Sequence, residues 1–370
     1  MAASIIAITN GIVFTGEELI NDKALLIKGS RVVDLLSPGE IPPEAEIFDA
    51  MGNYVVPGFI DLQIYGGGGR LFSADPSEAS IASIADALVQ SGTTGFMITM
   101  ATNTMEVVNE ALETLSGYHH PALLGLHLEG PYLNAIRRGA HPEAYIRKPD
   151  KAEIAGLLEK GKGCLRMMTI APEWFDKDTI DLLIDHGVFL SAGHSDATFE
   201  EAMAGFDKGI RAVTHLFNAM SPLHHRNPGL PGAAFQSDSA MASIIADGIH
   251  VAYQTLAISK KLLGNRLFLI TDAVTEVYEG TYVHVFKGDR YTLPDGTLSG
   301  SALTMMQAVA NCVHHAGIPL EEALRMATQY PATLIGADDL GRIAAGTVAN
   351  IVIFDNQYRI GHVFLEGQLQ

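Results

Sequence analysis

Four short segments carry polar side chains of the kinds that bind metal ions, and each of them follows an apolar run. Glu129 ends the apolar run 122–128, and a Gly-Pro pair then stops the strand. His194 and His215 end two later runs, and Asp272 ends a fourth. Barrels and doubly wound sheets place their chemistry at the carboxyl ends of strands, so we expect these side chains to converge. A carboxylate, two imidazoles and an aspartate are the parts of a metal-dependent hydrolase site.

The predicted metal ligands are Glu129, His194 and His215. Each has a simpler alternative, an exposed loop glutamate or a hydrogen-bonded histidine, but their joint occurrence at three strand ends favours a site. Three protein ligands leave positions for water and substrate, and a water bound there would attack a carbonyl. Asp272 could take the water's proton and return it to a leaving amine, the alternative being a helix N-cap. These ligands suit Zn²⁺ first, and Fe²⁺, Co²⁺ and Mn²⁺ also accept them.

Apolar runs alternate with amphipathic segments through most of the chain, which predicts an α/β fold with a (β/α)₈ TIM-like barrel. Strands are predicted at 59–64, 96–100, 122–128, 165–171, 188–192, 212–217, 242–246 and 267–271. Helices are predicted at 77–90, 104–116, 150–160, 176–186, 198–207, 252–263, 301–316 and 320–330. Two long polar loops, 134–149 and 218–240, follow strands, and residues 278–297 are predicted to form a β-hairpin with a turn at Asp295-Gly296.

Both ends of the chain have β-strand character without helical periodicity. Strands are predicted at 5–9, 24–28 and 31–36, and again at 349–354 and 360–365. We therefore predict a small β-sandwich domain built from residues 1–54 and 345–370, beside a barrel at 55–344.

Composition restricts the classes of partner. The chain has 370 residues and a net charge of −18, which argues against binding nucleic acid or an anionic membrane surface. Two cysteines, Cys164 and Cys312, suit a reducing compartment. The N-terminus lacks the basic region of a signal peptide, and no apolar run approaches the ~20 residues of a membrane span. We expect a cytoplasmic protein that acts on a small molecule.

The motifs together resemble the amino-sugar-phosphate deacetylases of the amidohydrolase superfamily, a group of metal-dependent barrel hydrolases. The resemblance covers nearly the whole chain, and it is the order of the motifs that makes it specific. They are PGFID at 57–61, HLEGP at 127–131, AGHS at 192–195, THLFNAM at 214–220, DGIH at 247–250, TDA at 271–273, LSGS at 298–301 and GRIAAG at 341–346.

The resemblance implies roles for further residues. His141 would polarise the acetyl carbonyl together with the metal. His250 and Arg226 would hold the 6-phosphate, with Arg226 reaching in from the other subunit of a homodimer. The sugar pocket would be lined by Ala140, Asn218, Ala219, Asp247, Gly248, Ile249, His250, Leu298, Ser299 and Gly300.

The chain departs from the wider superfamily after the first barrel strand. Many members carry His-x-His there and bind a second metal, but the matching positions here are Gln63 and Tyr65. Residues 165–171 also offer no lysine for the carbamate bridge of cyclic-amide hydrolases. We therefore expect one divalent metal ion per subunit, with Gln63 as a contact of the water that the metal binds.

The resulting prediction is hydrolysis of N-acetylglucosamine 6-phosphate to glucosamine 6-phosphate and acetate. The sequence leaves open the same reaction on the galactosamine epimer, which differs in one hydroxyl orientation. A barrel that serves as a non-catalytic scaffold is disfavoured because Glu129, His194, His215 and Asp272 are all retained. Hydrolysis of a cyclic amide is disfavoured by the missing lysine and by the predicted phosphate site.

Overall fold

A computed structural model describes residues 4–370 of the chain, and its centre is a sheet of eight parallel strands. Neighbouring strands in the sheet follow one another in sequence, and every connection between them contains an α-helix. In chain order, the barrel strands one to eight are Phe59–Ile64, Thr93–Ala101, Leu123–Glu129, Leu165–Ile170, Phe189–Ala192, Ala212–Val213, Met241–Ile245 and Leu267–Ile270.

Strands one and eight meet at their carboxyl ends and close the barrel there. The backbone N–H of Asp272 donates to the carbonyl of Gln63 at 3.0 Å, and the N–H of Tyr65 donates to the carbonyl of Ala273 at 3.0 Å. The buried carboxyl group of Asp61 contacts both the backbone N–H and the hydroxyl of Thr271 across the same seam. Closure therefore brings the first and last barrel strands into contact, although their residues are more than 200 positions apart in the sequence.

Helices surround the strands, and side-chain caps fix where most of them begin. Ser77, Thr104, Asp150, Asp176 and Thr304 each accept a hydrogen bond from a backbone N–H in the first turn. The barrel helices are Glu78–Gln90, Met105–Gly117, Lys151–Lys160, Lys177–Asp185, Phe199–Lys208, Gly229–Gln236, Tyr253–Leu263 and Met305–Ala316, followed by Leu320–Ala327 and Gln329–Leu334.

The barrel is filled with apolar side chains and plugged at its amino-terminal end. Ile60, Met97 and Phe268 pack with other inward-facing residues against Leu334 and Ile335, at the end of the last helix. The barrel interior is therefore closed below, and its open end lies at the carboxyl ends of the strands.

The two ends of the chain form a β-sandwich beside the barrel. One sheet contains Ile5–Thr9, Ala24–Lys28, Arg31–Leu36 and Glu46–Asp49, and the other contains Ile12–Phe14, Leu19–Ile20, Tyr54–Pro57, Ile351–Phe354, Ile360–Leu365 and Gln368–Leu369. Leu25 and Ile27 of the first sheet share one core with Ile351 and Ile353 of the second. The predicted fold class is confirmed, and the domain boundaries stay a prediction.

Three predicted elements differ from the structure. Residues 218–240 are not all loop, because Gly229–Gln236 is a helix with buried Leu230, Ala233 and Ala234. The predicted hairpin is a three-stranded sheet of Val285–Phe286, Arg290–Thr292 and Leu298–Ser301. The sixth barrel strand ends at Val213, since the chain turns into the site at His215. Among residues 4–370, no helix has the length and apolar character needed to cross a membrane.

Candidate metal centre and substrate pocket

The backbone bends sharply where three of the predicted site residues leave their strands. His194, His215 and Asp272 all have positive φ angles, of 46°, 33° and 55°. This conformation is uncommon for residues with a Cβ atom and is held here by the surrounding structure, as is typical of functional sites. Glu129 remains on the third strand, where its Cα atom is in register with Ala101 of the second strand.

The side chains of Glu129, His194 and His215 meet at one point. Oε1 of Glu129 lies 3.0 Å from Nε2 of His215 and 3.3 Å from Nε2 of His194, and the two Nε2 atoms are 3.1 Å apart. The ligand atoms around a tetrahedral ion with bonds of ~2.1 Å lie ~3.4 Å from one another. The three side chains therefore have the chemistry and the spacing of a divalent-metal ligand set.

His141 also reaches this point, with Nε2 at 3.0 Å from Oε2 of Glu129. Its Nδ1 accepts a hydrogen bond from the backbone N–H of Thr102, so the hydrogen of the neutral ring is on Nε2. His194 has the opposite arrangement, because its Nδ1 lies 3.0 Å from the carbonyl of Arg137 and must donate. His194 thus presents a free lone pair, whereas His141 presents a hydrogen-bond donor.

The pKa shifts agree with these roles. Burial raises the pKa of Glu129, but the adjacent His194 and His141 outweigh it and hold the pKa of that carboxyl well below its usual range. Burial lowers the pKa of His194, and the nearby His141 lowers it further. An ionised carboxylate beside a neutral imidazole is the protonation state that metal binding requires.

Asp272 is connected to Glu129 through the side-chain amide of Gln63. The Nε2 atom of Gln63 lies 2.9 Å from Oε1 of Glu129, 3.0 Å from Oδ1 of Asp272 and 2.9 Å from the hydroxyl of Tyr65. That hydroxyl donates in turn to Oε2 of Glu129. Burial and the charge of Glu129 raise the pKa of Asp272 to about 8, although His215 opposes the shift. Gln63 therefore orients both carboxylates, a role beyond the predicted contact with water.

The loop that carries His141 is fixed to the end of the fifth strand. The backbone N–H of Asn134 donates to the carbonyl of His194 at 2.8 Å. Glu173, which follows the fourth strand, accepts hydrogen bonds from the Asn134 amide and the Ser195 hydroxyl at 2.9 and 2.7 Å. Sequence reasoning missed Glu173, although a carboxylate just after an apolar run is the same signal that identified Glu129.

A cavity of about 230 Å³ opens above these residues at the carboxyl ends of the strands. Predicted site residues that line it are Glu129, Ala140, His141, His194, His215, Asn218, Ala219, His250, Asp272, Leu298, Ser299 and Gly300. The predicted residues outside this lining are Gln63, Arg226, Asp247, Gly248 and Ile249.

Two of the residues outside the lining have a clear structural setting. Asp247 accepts hydrogen bonds from the backbone N–H groups of Ile249 and His250 and contacts Nδ1 of His250 at 2.6 Å. It thereby orients the His250 ring toward the cavity. Arg226 lies in an exposed loop and is absent from the cavity wall formed by its own chain.

The segment just before the three-stranded sheet adds two aromatic residues that the sequence did not single out. Tyr282 donates through its hydroxyl to the carbonyl of Thr102 at 2.6 Å, which brings it over the cavity. His284 stacks on Tyr282 and contacts the hydroxyl of Ser299 at 2.9 Å. Burial lowers the pKa of His284 to about 4, so its ring is neutral at physiological pH.

Comparison with known proteins gives a consistent result. Residues 54–369 match the sequence profile of the Amidohydrolase family. An N-acetylglucosamine-6-phosphate deacetylase of Haemophilus influenzae is 34% identical, and the match covers 98% of both chains. An N-acetylgalactosamine-6-phosphate deacetylase of a Shewanella species is 35% identical, over 85% of this chain and 82% of the relative.

Solved structures are similar over the same extent. N-acetylglucosamine-6-phosphate deacetylase from Pasteurella multocida has a TM-score of 0.94 at 33% identity, covering 99% of each chain. A mutant of the Mycobacterium smegmatis deacetylase, in complex with N-acetyl-D-glucosamine-6-phosphate, has a TM-score of 0.91 at 31% identity and covers 100% of this chain and 99% of its own.

Proposed function

This chain belongs to the amidohydrolase family, as its motifs predicted, and we propose that it hydrolyses N-acetyl-D-glucosamine 6-phosphate to D-glucosamine 6-phosphate and acetate. The observation that carries the proposal is the convergence of Glu129, His194, His215 and Asp272 in one cavity of a chain that matches deacetylases end to end. The enzyme is a metal-dependent amide hydrolase.

We propose that Glu129, His194 and His215 hold one divalent ion, with His141 beside them. Zn²⁺ is the first candidate because one carboxylate and two imidazoles form a common zinc ligand set, and Fe²⁺, Co²⁺ and Mn²⁺ fit the same donors. When bound, the ion would supply a Lewis acid and lower the pKa of a coordinated water. Gln63 and Tyr65 contact both oxygens of Glu129 and hold the carboxylate in place.

Asp272 is the proposed proton carrier. Its carboxyl group lines the cavity, lies against Gln63, and has a pKa raised to about 8 by burial. The positive charge of an ion held by Glu129, His194 and His215 would favour the ionised form of this carboxyl group, which can then accept a proton from the attacking water and deliver it to the amine that leaves. The departing amine requires that proton, since an unprotonated amide nitrogen is a poor leaving group.

His141 is the proposed donor to the carbonyl oxygen. Its Nδ1 accepts from the Thr102 backbone, so its Nε2–H is available to donate. The oxygen of the acyl group gains negative charge during attack, and a donor already oriented toward it stabilises that charge. In the structure the Nε2–H group of His141 contacts Oε2 of Glu129. The carbonyl oxygen of a bound substrate would replace that oxygen as the acceptor.

The 6-phosphate is proposed to bind between His250 and an arginine of a second subunit. No lysine or arginine is among the cavity-lining residues of the described chain, whereas the net charge is −18. A dianionic phosphate therefore needs a cation from elsewhere, and the exposed Arg226 of a homodimer partner would supply it.

N-acetylgalactosamine 6-phosphate is a second candidate substrate. It is favoured by the Shewanella relative, which matches this chain at an identity similar to that of the Haemophilus relative. The two sugars place the same acetamide and phosphate groups, so the same metal ligands and Asp272 would serve both.

We also propose a cytoplasmic location. Cys164 and Cys312 are both buried free thiols, as expected in a reducing compartment. A phosphorylated sugar is a substrate of such a compartment, since its charge keeps it from crossing membranes unaided.

The test is acetate release from both amino-sugar phosphates by metal-loaded protein, compared with the unphosphorylated sugar. Asp272→Asn should lower kcat by about 10² or more while its metal content, measured by elemental analysis, stays at the wild-type level. Asp207→Asn, at an exposed helix position, is the matched control and should keep full activity. Metal-loaded wild-type protein that releases no acetate from either phosphate would overturn the proposed substrate.

A further inference from the structure

One side of the cavity is an apolar wall, formed by Tyr65, Leu71, Ala101, Val274 and Tyr282. We infer that this wall, called here the acyl pocket, receives the acyl group of the substrate and limits the length of acyl chain that the enzyme accepts. The inference rests on the proposed deacetylase function and adds to it the residues that select the acyl group.

The acyl pocket surrounds the place where the amide carbonyl must lie. Ala101 is the register partner of Glu129 on the neighbouring strand, and the Tyr65 hydroxyl donates to the same carboxylate. Val274 follows Asp272 by two residues, and the ring of Tyr282 lies 6.4 Å from that of His141. The acyl pocket therefore lies next to all three proposed catalytic groups, which are the ligand Glu129, the proton carrier Asp272 and the carbonyl donor His141.

The remaining walls of the cavity are different in character. Asn218, His250 and Ser299 line the same cavity with amide, imidazole and hydroxyl groups and lie outside the apolar cluster. Sugar hydroxyls and a phosphate need hydrogen-bond partners, and leaving them against apolar side chains would cost free energy. The sugar ring and its phosphate therefore belong on the polar side.

The acyl substituent is the part of the substrate that suits the apolar wall. In an N-acylated amino-sugar phosphate every other substituent carries a hydroxyl, an ether oxygen or a phosphate, whereas the acyl chain beyond its carbonyl is hydrocarbon. With the carbonyl near Glu129 and the sugar on the polar side, the chain points toward Leu71 and Val274. Burying it there removes apolar surface from water without leaving a polar group unpaired.

The acyl pocket is also rigid enough to discriminate chain length. Tyr282 is anchored by its hydrogen bond to the Thr102 carbonyl, and Tyr65 by its contacts with Gln63 and Glu129. Val274 packs so closely on Gly300 that a Cβ atom at that glycine would lie 2.7 Å from a Val274 methyl group. Such walls cannot retreat to admit a longer chain, so chain length must affect the rate.

The experiment compares kcat/KM for the N-formyl, N-acetyl, N-propionyl and N-butyryl derivatives of glucosamine 6-phosphate. For the wild-type enzyme, kcat/KM should be higher for the acetyl than for the butyryl derivative. Each methylene group that the pocket accommodates poorly should lower kcat/KM by about 10- to 200-fold. Leu71→Ala should raise the butyryl-to-acetyl ratio of kcat/KM by at least about tenfold, and Val274→Ala, measured independently, should move it in the same direction. Ala101→Val should shift the preference toward formyl.

Leu115→Ala is the matched control, because Leu71 and Leu115 are both 3% exposed but Leu115 lies in the outer helix layer. It should lower the melting temperature without changing the acyl preference. Folded Leu71→Ala, Val274→Ala and Ala101→Val proteins that keep the wild-type preference would overturn the acyl pocket. Wild-type protein that cleaves none of the four compounds would instead overturn the proposed function.

Discussion

At the scale of single residues, the chemistry of each imidazole near Glu129 follows from what its other nitrogen contacts. Nδ1 of His194 donates to the backbone carbonyl of Arg137, so Nε2 of His194 keeps a free lone pair. Nδ1 of His141 accepts from the backbone N–H of Thr102, so the ring hydrogen of His141 is on Nε2. Two histidines whose ring centres are 4.3 Å apart thus suit different chemistry, His194 the proposed role of metal ligand and His141 the proposed role of hydrogen-bond donor. The backbone makes this assignment, so it holds before substrate binds.

Asp61 gives a pH dependence of stability with a definite sign. Burial raises the pKa of Asp61 to about 7, although hydrogen bonds from Thr271 and Gln63 oppose the shift, and its ordinary value is 3.8. Between these two values folding takes up a proton, so the free energy of unfolding falls as pH rises from about 4 to about 7. Asparagine cannot ionise, so the Asp61→Asn protein should not lose stability in this way. The free energy of unfolding of Asp61→Asn, relative to that of the wild type, should therefore rise by up to ~4 kcal/mol between pH 4 and pH 7.

Urea unfolding at several pH values from 4 to 8 measures this difference, since all other titrating groups are common to both proteins. Asp207→Asn, which removes an exposed carboxylate, should follow the wild-type pH profile. If the profiles of Asp61→Asn and wild type are parallel from pH 4 to pH 7, then Asp61 is ionised in the native protein throughout and the assignment is wrong.

At the scale of elements, the long loop after the third strand is held in place by carboxylates on its neighbours. Glu173 binds both Asn134, where the loop starts, and Ser195, next to His194. Asp196 accepts a hydrogen bond from Arg137 at 2.7 Å, in the same loop. These contacts connect the end of strand four with the loop that carries His141 and with the end of strand five.

Glu173→Ala should therefore loosen the loop and misplace His141. We expect kcat to fall on the order of 10- to 100-fold, since small displacements of a positioned group are costly, while the three proposed metal ligands remain. Amide hydrogen exchange should accelerate in residues 134–141 and stay unchanged in the eighth strand. Glu159→Ala, on an exposed helix position, is the control. Unchanged exchange in the loop would contradict this role for Glu173.

Sequence patterns predicted the elements that local physics determines. Strands such as Phe59–Ile64 and Ile360–Leu365 have the predicted bounds, because apolar runs and flanking turns specify them. The helix Gly229–Gln236 was missed because its two glycines and one proline disfavour helix, and tertiary burial of its apolar residues stabilises it instead. The site was predictable where residues end strands, but the place of Tyr282 depends on a contact with Thr102, 180 residues away.

At the scale of the whole molecule, the charge balance and the cavity wall argue for a site completed by two subunits. The chain carries a net charge of −18, and within residues 4–370 the cavity is lined by histidines but by no lysine or arginine. Repulsion of a phosphorylated substrate by the overall field must be offset by a local cation. Arg226 extends from an exposed loop, where a twofold-related copy could receive it.

Subunit mixing tests this arrangement. The Asp272→Asn and Arg226→Ala proteins should each be nearly inactive at low substrate concentration, one lacking the proposed proton carrier and the other the proposed phosphate contact. If Arg226 acts across a dimer interface, a mixed dimer holds one site with both residues intact. When equal amounts of the two proteins exchange subunits at random, half of the dimers are mixed. About one quarter of all sites should then be active. A mixture of Asp272→Asn with Asp272→Asn,Arg226→Ala should stay inactive. If Arg226 served its own subunit, mixing would restore nothing, because every subunit would lack one of the two residues that its site needs.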